Sequence, residues 1–309
     1  VLKSFATIQS VGASTRIEGS RMSDKETKDV LSNIEISKLE NRDSQEVVGY
    51  FDVLDLITEG PNDIEIIESN IKNLHNLLMK QNQKDQWHKG NYKTHTNAVE
   101  ATFADGSKQI IFRTTEAGLA TEDAMSQLIE WYNSEEEAPA LIKIAAFVYD
   151  FLSIHPFQDG NGRLSRVLTS LMLLQAGYDY VPYCSLESIV EENKEQYYRS
   201  LRKAQKTLSK DNSALEVWIL FFVQMLKKQK EILERRLKKE KISSEAILST
   251  LSIDILKVVK EQHRITISEL VIFTEANRNT IKKHVQTLVK NRYLKLNGKG
   301  KGTYYTRKN

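Results

Sequence analysis

Apolar positions recur at three- and four-residue steps through most of the chain, the spacing of one face of an α-helix. Val30 and Ile34 begin the pattern, Val47, Val48, Phe51 and Leu54 continue it, and Ile64, Ile67, Ile71, Leu74 and Leu78 extend it. Gly60-Pro61-Asn62-Asp63 interrupts these stripes with a turn, and Asp63 is placed to cap the helix that follows. Between Gly90 and Thr115 the period drops to two in places: Val99, Ala101 and Phe103 lead into Asp105-Gly106, and Ile110, Ile111 and Phe112 follow it. Asp-Gly between two such runs is a hairpin signal.

Helical spacing returns over 122–133 and again over 138–154, where Leu141, Ile142, Ala145, Phe147, Val148, Phe151 and Leu152 leave almost no polar side. A helix that is apolar all round belongs at the centre of its domain. It stops at His155-Pro156, and a further apolar helix over 164–176 ends at Gly177, so two central helices flank one short polar loop. Helical stretches over 187–206 and 214–228 follow, and 227–241, dense in Lys, Glu and Arg, reads as a solvated helical connector. From Ile253 the order is a helix, Ile265 to Leu270, a helix from Arg278 to Asn291, then Tyr293–Leu296 and Thr303–Thr306 divided by Gly298 to Gly302. That is the order of a winged helix-turn-helix, with the strand pair as its wing.

Composition narrows the fold class to mainly α. With 309 residues, 40% of them apolar and 28% charged, the chain can fill two cores and is not disordered by composition. Its 13 Gly and 4 Pro are too few to punctuate a sandwich or barrel of many short strands. The single cysteine, Cys184, excludes an internal disulfide and a thiolate zinc site and fits a reducing compartment. The longest nearly uncharged stretch, Val167 to Tyr178, falls short of the roughly 18–20 apolar residues of a bilayer span. Nor does the N-terminus show a basic segment leading into an apolar one, so the expectation is a cytoplasmic protein with no membrane partner. The formal net charge of +3 conceals an asymmetry: residues 251–309 hold thirteen Lys or Arg against four Asp or Glu, net +9, leaving −6 elsewhere. Two parts so differently charged suggest two functions.

The loop between the central helices concentrates the chemistry: His155-Pro156-Phe157-Gln158-Asp159-Gly160-Asn161-Gly162-Arg163-Leu164-Ser165-Arg166. Gly160 and Gly162 can turn successive backbone N–H groups inward at a helix N-terminus, which makes an anion cradle. Asp159 is a hard oxygen ligand suited to Mg²⁺ on a polyphosphate. Arg163 and Arg166, three apart, share a helical side from which each can bond phosphate oxygens. His155 titrates in the range needed to take a proton from a hydroxyl. Singly, each of these is more often a turn, a solvated charge or a structural histidine; together, between two apolar helices, they are parts for handling phosphate.

The same string resembles the Fic family, whose motif HxFx[DE]GNGRxxR it matches at every defined position. The resemblance covers about residues 85–206. It implies a helical core with a β-hairpin flap, and Mg²⁺-dependent transfer of AMP from ATP to a Tyr, Thr or Ser hydroxyl of a protein. Carried over by position, it makes His155 the base, Asp159 the Mg²⁺ ligand, and Gly160, Asn161 and Gly162 the holders of the α- and β-phosphates. Arg163 and Arg166 would meet the β- and γ-phosphates, while Phe157 anchors the loop in the core. The flap would align a target protein by main-chain pairing, with Ile110, Ile111, Phe112 and Arg113 over the nucleotide. Tyr197, Tyr198 and Gln205 stand where family members contact adenine or ribose, although core packing accounts for either tyrosine equally well. Glycine at position 162 favours nucleotidyl over phosphate transfer.

Ser14-Thr15-Arg16-Ile17-Glu18-Gly19 is similar to the family's inhibitory pattern [ST]xxxE[GN], which implies that Glu18 pairs with Arg166 and displaces the γ-phosphate. The implied organisation is a helical region over 1–84 with this motif, a catalytic domain over 85–226, a helical linker over 227–250 and a winged helix domain over 251–309. In the last, Lys282, Lys283, Lys290, Arg292, Lys299 and Lys301 could contact DNA phosphates, and protein docking is the other use of such a module. Removal of AMP, transfer from another nucleotide, and a DNA-binding regulator that uses the Fic domain as a nucleotide sensor stay open as alternatives. The long apolar helices and the winged module leave room for a homodimer.

Overall fold

The computed structural model describes residues 2–33, 39, 41–82, 86–102, 108–207, 213–247, 249–298 and 300–308, without side-chain detail at 99–102, 108–113, 206–207, 213–214, 239–247 and 301. The chain is mainly helical and divides into two compact units, Val1–Leu233 and Glu234–Asn309. Among the described residues no helix is long and apolar enough to cross a membrane.

In the first unit the elements run α1 (Leu2–Ile17), α2 (Asp24–Ser32), α3 (Arg42–Glu59), α4 (Glu68–Leu78), β1 (Ala98–Thr102), β2 (Lys108–Arg113), α5 (Leu119–Ser134), α6 (Ala140–Ile154), α7 (Asn161–Gln175), α8 (Leu186–Glu192), α9 (Lys194–Thr207) and the first part of α10 (Ser213–Ile247), a helix that crosses the boundary after Leu233. Helices α6 and α7 form the centre: Phe147, Phe151, Leu164, Val167, Leu168 and Leu171 are fully buried, and α1, α3 and α4 pack around them. Gly49 lets α3 press onto the last turn of α4, because a Cβ there would run into the Leu78 carbonyl. The end of α7 is closed by paired bonds from Gly177 N to Leu174 O and from Tyr178 N to Leu173 O, both 3.0 Å, with Gly177 at φ +83°. This is the glycine-terminated stop that satisfies the last carbonyls of a helix.

Strands β1 and β2 pair antiparallel, Val99 opposite Phe112 and Thr102 opposite Lys108, with an irregularity between Val99 and Glu100. The hairpin expected there is present, and its Asp105-Gly106 turn lies outside the described residues.

Three expectations differ from the structure. Asp63 caps no helix: it ends a 3₁₀ turn, Pro61–Asp63, and α4 begins later, after Ile67, without a side-chain cap. The stretch 187–206 is two helices, since the chain breaks at Asn193, whose N–H bonds back to Ile189 and Val190. Helix α7 starts at Asn161, three residues before its apolar period becomes visible, because its first turn is built from Asn, Gly and Arg.

The second unit holds α11 (Thr250–Gln262), α12 (Ile267–Thr274), α13 (Arg278–Lys290), β3 (Leu294–Asn297) and β4 (Tyr304–Arg307). Ile255, Val259, Ile265, Leu270, Ile281, Val285, Leu288 and Leu294 form its own core. Thr266 and Glu269 make a reciprocal capping box at the start of α12. The two strands pair antiparallel from Leu294 opposite Arg307 to Asn297 opposite Tyr304.

Candidate active site

Helix α6 ends in His155, which adopts a left-handed conformation at φ 53°, ψ 60° and donates its backbone N–H to Phe151 O at 2.9 Å. That backbone costs a non-glycine residue about 1–2 kcal/mol. It turns the chain sharply into the loop that leads to α7. The His155 Nδ1 lies 3.3 Å from the Leu152 carbonyl. A carbonyl only accepts, so Nδ1 carries the proton and Nε2 keeps its lone pair. Burial pulls the His155 pKa down from 6.5 to about 4; the Leu152 bond and the charges of Glu18 and Asp159 oppose that, and the charge of Lys93 adds to it. The imidazole is therefore neutral at pH 7 and can accept a proton.

The loop is pinned from within. Asn161 Oδ1 accepts from Phe157 N at 2.8 Å, and Asn161 Nδ2 donates to Phe157 O at 2.7 Å. The Asn161 side chain is thus consumed in holding the loop, and what it presents to a ligand is its backbone N–H in the first turn of α7. Phe157 is fully buried and stacks on His75, with ring centroids 3.8 Å apart. His75 Nδ1 accepts from Gly90 N at 2.9 Å, so its Nε2 holds the proton and donates to Asp159 O at 3.0 Å. Gly160 caps α7 at φ 78°, ψ 1° with no side-chain bond, leaving the helix's first N–H groups without an intrahelical partner at its positive dipole end.

An anion already sits there. The Glu18 carboxylate is packed against Gly162 so closely that a Cβ would collide with Oε1, and Arg166 Nη2 donates to the same oxygen at 2.7 Å. Arg166 also donates from Nε to Ser14 Oγ at 2.9 Å and from Nη2 to Ser14 O at 3.0 Å. Arg166 is 8% exposed. Burial would lower its pKa, but Glu18 and the neighbouring tyrosines hold it raised. The end of α1 that carries Glu18 is fastened: Arg16 makes a two-pronged pair with Glu191 at 2.7 and 2.9 Å, and Lys194 Nζ donates to Ile17 O at 2.7 Å.

The two arginines of the loop have different surroundings. Arg163, 1% exposed, lies 3.3 Å from Asp159 Oδ2 and 3.5 Å from Glu46 Oε1, and its Nε has no hydrogen-bond partner among the described residues. Arg42, from the first turn of α3, completes an alternating chain by reaching Glu46 Oε1 and Asp159 Oδ2, each at 2.7 Å. Burial alone would raise the Asp159 pKa, but Arg163, the Gly160 N–H and Arg42 outweigh it and hold the carboxyl below its ordinary value. Among the described residues no group of three His, Cys, Asp or Glu could hold a metal ion.

The remaining candidates are dispersed. Tyr197 is 6% exposed and packs in an aromatic cluster with Trp218 and Phe221. Tyr198 is half-buried, with the Lys194 ammonium 6.0 Å from its ring centre. Gln205 donates to Ser153 Oγ at 2.9 Å, and its Oε1 is buried without a partner among the described residues. Ile110, Ile111, Phe112 and Arg113 lie on β2, and their side chains lie outside the described residues. Sequence reasoning missed Arg42, Glu46, His75, Lys93, Asn97 and Thr114. Only His75 carried a signal, as a histidine in the apolar stripe of α4.

The helical core thus seats a carboxylate at a helix N-terminus beside a neutral imidazole. The Fic/DOC family model matches residues 65–173. A Fido domain-containing protein of Dictyostelium discoideum is 34% identical over 119 residues, which is 36% of this chain and 76% of the relative. The protein adenylyltransferase Fic of Drosophila mojavensis is 38% identical over 82 residues, 26% of this chain but only 15% of the fly protein. Among solved structures, a Fic family protein from Desulfovibrio desulfuricans has a TM-score of 0.60 at 18% identity, covering 99% of this chain and 87% of its own. A Fic domain containing signaling protein from Bacteroides thetaiotaomicron gives 0.58 at 25% identity, covering 77% and 86%. The chain belongs to the Fic/DOC family.

Proposed function

We propose that this chain is a protein adenylyltransferase that moves AMP from ATP to a Tyr, Thr or Ser hydroxyl of a target protein or of itself, and that Glu18 restrains it. The observation that carries this reading is the carboxylate lying on Gly162 and Arg166, an internal anion at the positive end of α7 beside a neutral His155. The motif resemblance and the adenylyltransferase named among the relatives support the same reading.

In this reading the His155 Nε2 lone pair takes the hydroxyl proton as the oxygen bonds to the α-phosphorus. The bond from that phosphorus to the bridging oxygen breaks, and pyrophosphate leaves. The first-turn N–H groups of α7, from Asn161 and Gly162, and the Arg166 guanidinium oppose the charge that develops, while the Gly160 N–H holds Asp159. Arg163 braces Asp159, whose lowered pKa keeps it ionised, so that this carboxylate would hold Mg²⁺ carried in with the nucleotide. Mg²⁺ supplies neutralisation of phosphate charge when bound. Gln205 Oε1, an unpaired acceptor, suits an amino group of the base. The β1–β2 hairpin would align the target segment by main-chain pairing.

Glu18 blocks this arrangement because one guanidinium cannot serve a carboxylate and a terminal phosphate in the same place. The second unit reads as a winged helix that binds DNA: Arg278, Asn279, Lys282, Lys283, Gln286 and Lys290 are exposed along α13. The deciding experiment incubates the parent and Glu18→Gly chains with Mg²⁺ and ATP and weighs the intact protein. An adduct of one AMP moiety, larger in the variant, is expected; no adduct in either overturns the reading.

A further inference from the structure

We propose that Lys93 is a positioning residue that fixes the height of the β1–β2 hairpin above His155, a role that rests on the transferase reading for its consequence but not for its geometry. Lys93 is 1% exposed, and its ammonium donates to three acceptors from three parts of the fold. Asn97 Oδ1, 3.1 Å away, stands immediately before β1. Thr114 Oγ1, at 2.9 Å, stands immediately after β2. The Ile154 carbonyl, at 2.9 Å, is at the C-terminal end of α6, directly before His155. An ammonium has three N–H donors, and all three are used.

The neighbouring bonds close the same junction. Lys93 N donates to Pro156 O at 2.8 Å, and Tyr92 bridges to Phe157. Thr114 Oγ1 donates to the Asn97 side chain at 2.6 Å, joining the two feet of the hairpin directly. Asn97 Nδ2 donates to Phe157 O at 2.8 Å, the same carbonyl that takes the Asn161 bond. One side chain therefore ties both hairpin feet to the loop that carries the base. It sits where a cation is favoured, at the negative end of α6. Burial lowers the Lys93 pKa from 10.5 to about 8, which leaves the ammonium predominantly charged at pH 7.

A hairpin that aligns a target hydroxyl must hold its edge at a fixed distance from His155, since misplacement of the reacting oxygen slows transfer far more than it weakens nucleotide binding. Removing Lys93 then releases the hairpin that aligns the target and leaves in place the first turn of α7 and Arg166, which hold the phosphates in this reading. The test uses Lys93→Met and Thr114→Val, each in the Glu18→Gly chain, with a His155→Ala copy of the same chain as the AMP acceptor. Expected are about a tenfold or greater loss of kcat/KM for the acceptor in Lys93→Met and a smaller loss in Thr114→Val. Calorimetric ATP affinity should stay within about twofold, and amide exchange should accelerate over 98–102 and 108–113 while α7 stays protected. Lys93→Arg, which keeps charge and donors, should recover part of the loss. Unchanged hairpin exchange in folded Lys93→Met, or a loss of ATP affinity as large as the loss for the acceptor, overturns the proposal. If the Glu18→Gly chain transfers no AMP at all, the transferase reading fails, and the exchange measurement still decides whether Lys93 holds the hairpin.

Discussion

The first two turns of α7 and the outer face of α13 both present positive charge, under opposite conditions. Arg166 is nearly enclosed, with Ser14 and Glu18 fixing its direction. Lys282 and Lys283 stand in solvent. A buried guanidinium with prescribed partners selects one anion in one geometry, and its strength survives salt because little water or counterion reaches it. Exposed lysines make a field that attracts any polyanion, screened in proportion to the salt. One region is built to discriminate and the other to attract, which fits the division of charge between the two units.

The strongest way to break that contrast is at His155. His155→Ala should lower AMP transfer by about 10²- to 10⁴-fold while calorimetry still detects ATP; near-normal turnover would remove the enclosed site from the chemistry. Next comes pH. The folded state keeps His75 and His155 neutral down to about 4, whereas the unfolded chain takes up those protons near 6.5. Between those values the unfolded state binds more protons, so stability falls as the pH is lowered through the window, on the order of 3 kcal/mol for buried His75 alone. Urea midpoints should track this, and a flat profile from pH 6.5 to 4 would contradict the burial argument. Glu18→Gly should raise self-labelling about 10- to 100-fold, the worth of one charge-assisted bond, in a filter assay with labelled ATP. Smallest is Lys282→Ala with Lys283→Ala. Each lost phosphate contact should flatten the slope of log affinity against log salt for duplex DNA by about 0.9, with no effect on self-labelling. No duplex binding even at low salt would make α13 a protein-docking face instead.

Residues that act through neighbours in the chain were legible, and residues that act across it were not. The loop from His155 to Arg166 could be read because its parts lie within one turn and one helix start. The pairing of Glu18 with Arg166 could be read only through a resemblance, since nothing local links them. Arg42 reaches Asp159 across 117 positions, and Lys93 reaches Ile154 across 61, so no periodicity announces either. Helical spacing did not distinguish the partners of the two arginines. Residues three apart diverge by about 60° around the axis, enough to send Arg163 to Glu46 and Asp159 while Arg166 meets Glu18. Asp63 illustrates a further limit: an acidic residue after Gly-Pro-Asn suits a helix cap and a 3₁₀ turn equally, and here it ends the turn while Ile66 and Ile71 beyond it are buried.

The stitching of α1 to its neighbours has a kinetic consequence. With Arg16 clamped by Glu191 and the last carbonyl of the helix held by Lys194, lifting the whole segment away would break several bonds at once. Swinging the Glu18 side chain about its own torsions breaks only its grip on Arg166, and such rotations occur in nanoseconds where undocking a helix takes microseconds or longer. If Glu18 restrains transfer as proposed, idle turnover would be set by how often one carboxylate looks away, not by undocking of the helix.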